Sequence, residues 1–444
     1  MYQTDFSPQE LKARRQKICD AIGKNAVALL QGAREPKGYQ PFHQYSDFYY
    51  LCGIETPRSY LLINGANGRT TAFLPHEAEL EKQSDEELLC AENAKLVCET
   101  ASVDQALGVE MLGQRIGSAS VVYTPFEDGQ SIGVNRYHCR SWAAMACGDP
   151  WDGRLTRTTH FIDLLRRRFP HLEIRNLSPL LDEHRLVKSP AEVALLRRAA
   201  ELTAIAMREA IRSTRPGVME YQLDAVMRYH YLAGGAKDRG YQAIIAGGAN
   251  VWHAHYSSND CELKSGDLVL CDCAPVYRYY TSDIGRMWPV NGKYSAAQRS
   301  LYGFVVEYHK ALLQRIRPGR MLAEIHAEAA EAMKAVADRW KFASPVHEAA
   351  ARAMFEFRGH LSHCVGMSVH DGGGHWARPL EPGIVFTVDP QMFIPAEKGY
   401  VRVEDTIVVT ENGIENLTAK APLELDDVET LWREKGLLQT FPTA

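Results

Sequence analysis

The 444-residue sequence contains no stretch approaching the roughly 18 consecutive apolar residues of a membrane-spanning helix, and its opening segment, MYQTDFSPQELKARRQK, has no apolar core of a secretory signal. A cytoplasmic protein with no membrane partner is expected. Ten cysteines occur without a single CxxC pair, so reduced core residues are expected and a disulfide framework is not. Charge of one sign is also missing: 50 basic against 55 acidic residues leave −5, which offers nucleic acid no global attraction. No internal repeat or low-complexity tract stands out, and neither a GxGxxG nor a GxxxxGKS/T phosphate cradle is present. Small partners are the expectation.

What is present exceeds one hydrophobic core, so two domains are expected. Helical and strand patterns alternate, an α+β arrangement. In the first part, "SPQE" at 7–10 predicts a capped helix with proline at its first position. Strand-like NAVALL, SYLLI, TTAFL and VVYTP follow, then helical FIDLLRRRF. A second capping box, "SPAE" at 189–192, predicts a long helix stopped by Pro216 and Gly217, and a further helix ends at Gly234 and Gly235. Strand-like segments come from 241 onward, then helices in SAAQRSLYGFVVEYHKALLQRI and LAEIHAEAAEAMKAVADRW, then a strand-rich stretch to about 410. The division expected is 1–180 and 181–444.

All the acids and histidines that stand out fall in the second part. In "GDLVLCDCAP" both alternating faces are apolar, so Asp272 is predicted inside a strand buried on both sides, where an ionised carboxylate needs a cationic or strongly hydrogen-bonding partner. Asp283, eleven positions on, follows Pro275 and an aromatic stretch in what reads as a returning strand. "GHLSHCVGMSVHDGGGH" holds His360, His363, His370 and His375, a local excess of the commonest metal ligand. Asp389 ends the apolar run of "GIVFTVDPQMFI". In "GYVRVEDTIVVT", period-two alternation puts Arg402 and Glu404 on one face. An ion pair between Arg402 and Asp389 is the competing, purely structural reading. His253 and His255 share a face if "NVWHAH" is a strand. Four carboxylates with one imidazole (Asp272, Asp283, Asp389, Glu404 and His363) suit a paired site of Mn, Co, Fe or Zn, which would supply the cation that a buried Asp272 requires.

These spacings resemble the pita-bread metallopeptidases, and within them the Xaa-Pro aminopeptidases (aminopeptidase P) and Xaa-Pro dipeptidases (prolidase). The motifs are the two aspartates eleven apart, "SHCVGMSVHD" around His363 and His370, and "RVED" at 402–405. "PFHQYSDFYYLCGIETP" at 41–57 is similar to a segment of the aminopeptidase P N-terminal domain. The resemblance implies a smaller creatinase-like α/β domain followed by a pita-bread catalytic domain. It also implies two divalent metal ions, Mn²⁺ first with Zn²⁺ or Co²⁺ as alternatives. Asp283 and Glu404 would bridge them, Asp272 would hold one, and His363 with Asp389 would complete the other. His255 and His370 would face substrate, with Arg402 beside the bridging glutamate and Asp389 as proton shuttle. The implied reaction is hydrolysis of the bond preceding proline, in peptides or dipeptides, by a metal-bound hydroxide. Relatives form dimers or tetramers.

Two departures stand against the family pattern. "DPQ" at 389–391 replaces Glu-Pro-Gly, shortening the acid by one methylene, on the order of 1.5 Å. Gly359 stands where a substrate-binding histidine is usual, with His360 one place later. The altered acid keeps open a same-fold metal enzyme acting on a non-peptide small molecule, or a binding homologue without catalysis.

Overall fold

The computed structural model describes residues 3–36, 41–80 and 88–441. They divide into two compact units, Met1–Arg185 and Leu186–Ala444.

In the first unit, Ser7 accepts the Glu10 N–H at the start of the helix Pro8–Ile22, while the Glu10 carboxylate pairs with Arg14 one turn on. Six strands form one mixed sheet: β1 (Ala26–Gln31), β2 (Tyr60–Asn64), β3 (Thr70–Leu74), β4 (Gln105–Gly108), β5 (Val121–Thr124) and β6 (Glu173–Asn176), in the order β4-β3-β2-β1-β5-β6. Val27, Leu29, Leu62, Phe73 and Val122 of the sheet pack against Phe161 and Leu165 of the helix Arg157–Arg168.

The second unit opens with the helix Pro190–Ser213. Here the capping box closes in both directions between Ser189 and Glu192, and the Glu192 carboxylate also accepts the Tyr280 hydroxyl at 2.9 Å. The helix Glu220–Ala233 follows, ending at Gly234. The short β7 (Asp238–Arg239) pairs with β10 (Pro275–Val276). A seven-stranded antiparallel sheet carries the rest: β8 (Ile244–Gly247), β9 (Leu268–Asp272), β11 (Ile284–Pro289), β12 (Leu361–Cys364), β13 (Val385–Val388), β16 (Glu404–Thr410) and β17 (Gly413–Asn416). Its order is β12-β13-β16-β11-β9-β8, with β17 added on β16. A hairpin of β14 (Gln391–Ile394) and β15 (Gly399–Arg402) stands apart from it. The helices Ala296–Leu313 and Leu322–Ala337 pack on each other and close the core around Trp288, Tyr302, Phe304 and Phe386.

Three expectations need correction. The segment 341–360 is not strand-like throughout: Ser344 caps a helix, Pro345–Ala353, by accepting the His347 N–H, which the Ser-Pro pair at 344–345 already signals. The 400–409 run is two strands, because Val403 interrupts it and hands the chain from the β14 hairpin to the main sheet. His253 and His255 do not share a strand face; they follow a 3₁₀ turn, Gly248–Trp252, in irregular chain.

Replacing Ser189 with alanine removes the first bond of the second unit's long helix, and a stability loss of about 1 kcal/mol is expected, read as a lower urea midpoint at unchanged slope.

Candidate active site

Strand register brings the acids together. Asp272 lies opposite Gly285, and Gly285 opposite Glu404, so two carboxylates flank a residue without a side chain. A Cβ on Gly285 would sit 3.1 Å from that of Glu404, so glycine keeps this floor clear. Asp283, two residues earlier, faces the same side. Its backbone is held by Thr406, whose hydroxyl accepts the Asp283 N–H at 2.9 Å and donates to the Asp283 carbonyl at 2.7 Å. Asp389 directly follows β13, and His363 lies on β12, the next strand.

The side chains converge. Tyr241 donates to Asp272 Oδ1 at 2.7 Å and reaches Asp283 Oδ1 at 2.5 Å. His363 Nε2 is 3.4 Å from Asp283 Oδ2 and 3.8 Å from Glu404 Oε1. Arg402 reaches three acids at once: Nη1 to Asp272 Oδ2 at 2.5 Å, Nε to Asp389 Oδ1 at 2.7 Å, and Nη2 to Glu404. The expected Arg402–Asp389 ion pair is present, and it lies within the cluster. Gln391, the residue that departs from the family's glycine, donates from Nε2 to Asp389 Oδ2 at 2.6 Å and is itself held by the Tyr400 hydroxyl.

The charges do not balance. Four buried carboxylates face one guanidinium, and an uncompensated buried charge is costly. Loss of solvent pushes Asp272 and Asp389 up to about 7 despite the opposing pull of Arg402. Desolvation likewise raises Asp283 and, far more, Glu404. Burial and the Arg402 charge push His363 down to about 4, so it is a neutral nitrogen donor. Glu404 Oε1 is buried and accepts no hydrogen bond from the described residues. Asp283, His363 and Glu404 bring ligand atoms within 4.8 Å of one another. A set with surplus negative charge, an orphaned carboxylate oxygen and a neutral imidazole fits divalent cations of the harder kind.

The remaining histidines separate by role. The His370 ring lies 4.0 Å from that of His363, beside the acids. His360 does not join them: fully buried against Tyr308 and Phe357, it bonds the Met354 carbonyl through Nε2 and accepts the Gln391 N–H at Nδ1, bracing the 389–391 backbone. His375 is equally structural, bonding Cys364 Sγ and the Ser362 carbonyl. His255 is exposed. What positions its segment is Glu220, a fully buried carboxylate absent from the sequence reading. It accepts from Gly247 N–H at 2.8 Å, Asn250 Nδ2 at 3.0 Å, the Tyr256 hydroxyl at 2.8 Å and Cys261 N–H at 3.1 Å, so both ends of the loop are tied to one side chain. Behind β16, Asp405 binds Arg286 and Thr418, and Arg286 also donates to the Glu404 carbonyl, fixing the strand from its far side. Tyr241 and Glu220 had no motif to mark them, and Gln391 showed in the sequence only as a departure from the family pattern.

The profile of metallopeptidase family M24 matches residues 194–411, and that of the aminopeptidase P N-terminal domain matches residues 11–119. The Xaa-Pro aminopeptidase of Escherichia coli is 31% identical over 96% of this chain and 98% of its own length. The human Xaa-Pro dipeptidase is 26% identical over 94% and 91%. Among solved structures, Escherichia coli aminopeptidase P with the inhibitor Pro-Leu is similar with a TM-score of 0.76 and 28% identity, covering 97% of this chain and 99% of that one.

Two outcomes are expected. Protons compete for Asp272 and Asp389, whose acid forms persist up to about 7, so apparent Mn²⁺ affinity rises between about pH 6 and about pH 8 with release of protons; calorimetry in two buffers of different ionisation enthalpy measures both. Glu220→Gln cannot accept all four bonds, so amide exchange across 247–261 accelerates and kcat/KM falls by about tenfold or more.

Proposed function

From the chain's membership of the M24 metallopeptidases, with an aminopeptidase P N-terminal domain ahead of a pita-bread catalytic domain, we propose that this peptidase removes the residue preceding proline from the N-terminus of peptides. The observation that carries the reading is the convergence of Asp272, Asp283, His363, Asp389 and Glu404 on one buried point with more negative charge than Arg402 neutralises. In this reading Asp283 and Glu404 would serve both of two divalent cations, Mn²⁺ by preference, Asp272 would help hold one, and His363 with Asp389 would help hold the other. When bound, the ions supply the Lewis acidity that activates water and polarises the scissile carbonyl.

The chain's own groups do the rest. Tyr241 and Arg402 orient Asp272 so that its oxygens point inward. Asp389 carries the proton toward the departing proline nitrogen, with Gln391 and Arg402 holding its oxygens. His370 beside His363, and His255 on the loop tied by Glu220, donate to the substrate carbonyl and to the oxyanion that forms from it. The shorter acid at 389 is accommodated by Gln391, whose amide takes up the space and supplies a donor.

The test is hydrolysis of Xaa-Pro-Yaa peptides against Xaa-Pro dipeptides by chelator-treated protein reloaded with Mn²⁺, Zn²⁺ or Co²⁺. Release of the first residue from the longer peptides, abolished by Asp272→Ala, supports the reading; turnover of dipeptides alone makes it a dipeptidase. Turnover that survives both chelation and Asp272→Ala, or no turnover of either peptide class, overturns it. Asp389→Glu alone is expected to lower kcat/KM because its extra methylene drives the carboxylate into Gln391, and Asp389→Glu with Gln391→Gly is expected to regain at least the parent value.

A further inference from the structure

Strand β9 has two faces, and they differ in chemistry. Asp272 points into the carboxylate cluster; Cys271 and Cys273, on either side of it, point the other way, into the core beneath the helix Glu220–Ala233. That helix lays Met227 and, one turn later, Tyr231 on the same side. The three sulfurs touch: Cys271 Sγ is 3.6 Å and Cys273 Sγ 3.7 Å from Met227 Sδ, and the thiols are 3.9 Å apart. All three residues are solvent-excluded. The Tyr231 hydroxyl, buried and without a nitrogen or oxygen partner among the described residues, faces Cys273.

We propose that Met227, Cys271 and Cys273 form a second metal site, built only of sulfur, that takes a soft monovalent cation, Cu(I). A point equidistant from three sulfurs so spaced lies about 2.2 Å from each, close to the length of about 2.3 Å for a metal–thiolate bond. Thioether and thiolate donors select Cu(I), whereas the oxygen set on the opposite face of the same strand suits harder ions. As the copper–sulfur bonds form, each thiol gives up its proton to solvent, because the thiolate and not the thiol is the metal ligand, and Cu⁺ with two thiolates and one thioether carries a single negative charge. The Tyr231 hydroxyl then has an acceptor in the Cys273 thiolate.

The test uses the full chain, handled anaerobically and equilibrated with Cu(I) buffered by bicinchoninate, in the parent, the Cys271→Ser/Cys273→Ser double variant and Met227→Leu. X-ray absorption of the loaded parent is expected to show one copper with three sulfur neighbours at about 2.2–2.3 Å. The double variant is expected to bind Cu(I) more weakly by over about 100-fold, beyond the loss caused by changes outside the ligand set. Met227→Leu conserves volume, so it reports even if the serine variant does not fold; its shell is expected to drop to two sulfurs. A copper shell of nitrogen or oxygen, an unchanged shell in Met227→Leu, equal uptake by parent and a folded double variant, or no uptake by the parent overturns the proposal.

Discussion

A surplus of negative charge with too little to neutralise it is the constraint around which the catalytic unit is organised. Four carboxylates are carried out of water on or beside neighbouring strands, and the guanidinium of Arg402 pairs directly with three of them, Asp272, Asp389 and Glu404. The sheet order puts β13, β16, β11 and β9 side by side, and the register sets Asp272, Gly285 and Glu404 in one row. Everything behind the row secures it: Thr406 holds Asp283, Arg286 and Asp405 hold β16, and His360 braces the turn after β13. Such rigidity is needed because groups that must not relax around a change of charge have to be held by others.

Much of this was legible in the sequence, for a physical reason. A carboxylate inside an apolar run is so expensive that it announces a partner, so Asp272 and Asp389 could be singled out on that ground, while Asp283 and Glu404 were marked by spacing and strand alternation; the four are found together. Local signals also held where the physics is local: the Ser189 and Glu192 box and the glycine stop at 234. Histidine clustering was a poorer guide, since four of them within a short stretch serve different ends. His363 and His370 face the acids, while His360 and His375 pin backbone. Proximity in sequence does not say which way a ring turns.

What escaped was set by long-range contact. Tyr241 reaches acids 31 and 42 residues away, and Glu220 gathers donors 27 to 41 residues on. Neither sits in an unusual pattern; each is a lone polar residue whose partners only folding supplies. Gln391 looked like a damaged motif and is instead the amide that orients the shortened acid. The break at Val403 was invisible because both flanking strands are buried, which hides a change of sheet behind unbroken alternation.

Because one guanidinium serves Asp272, Asp389 and Glu404 together, these residues form an energetic unit. Removing any one of them redistributes the same positive charge over the other two, so the effects of single replacements will not sum, and the cost of the second change depends on which came first. Anyone re-engineering this centre therefore has to alter the three acids as a set, with Arg402 as the fourth member.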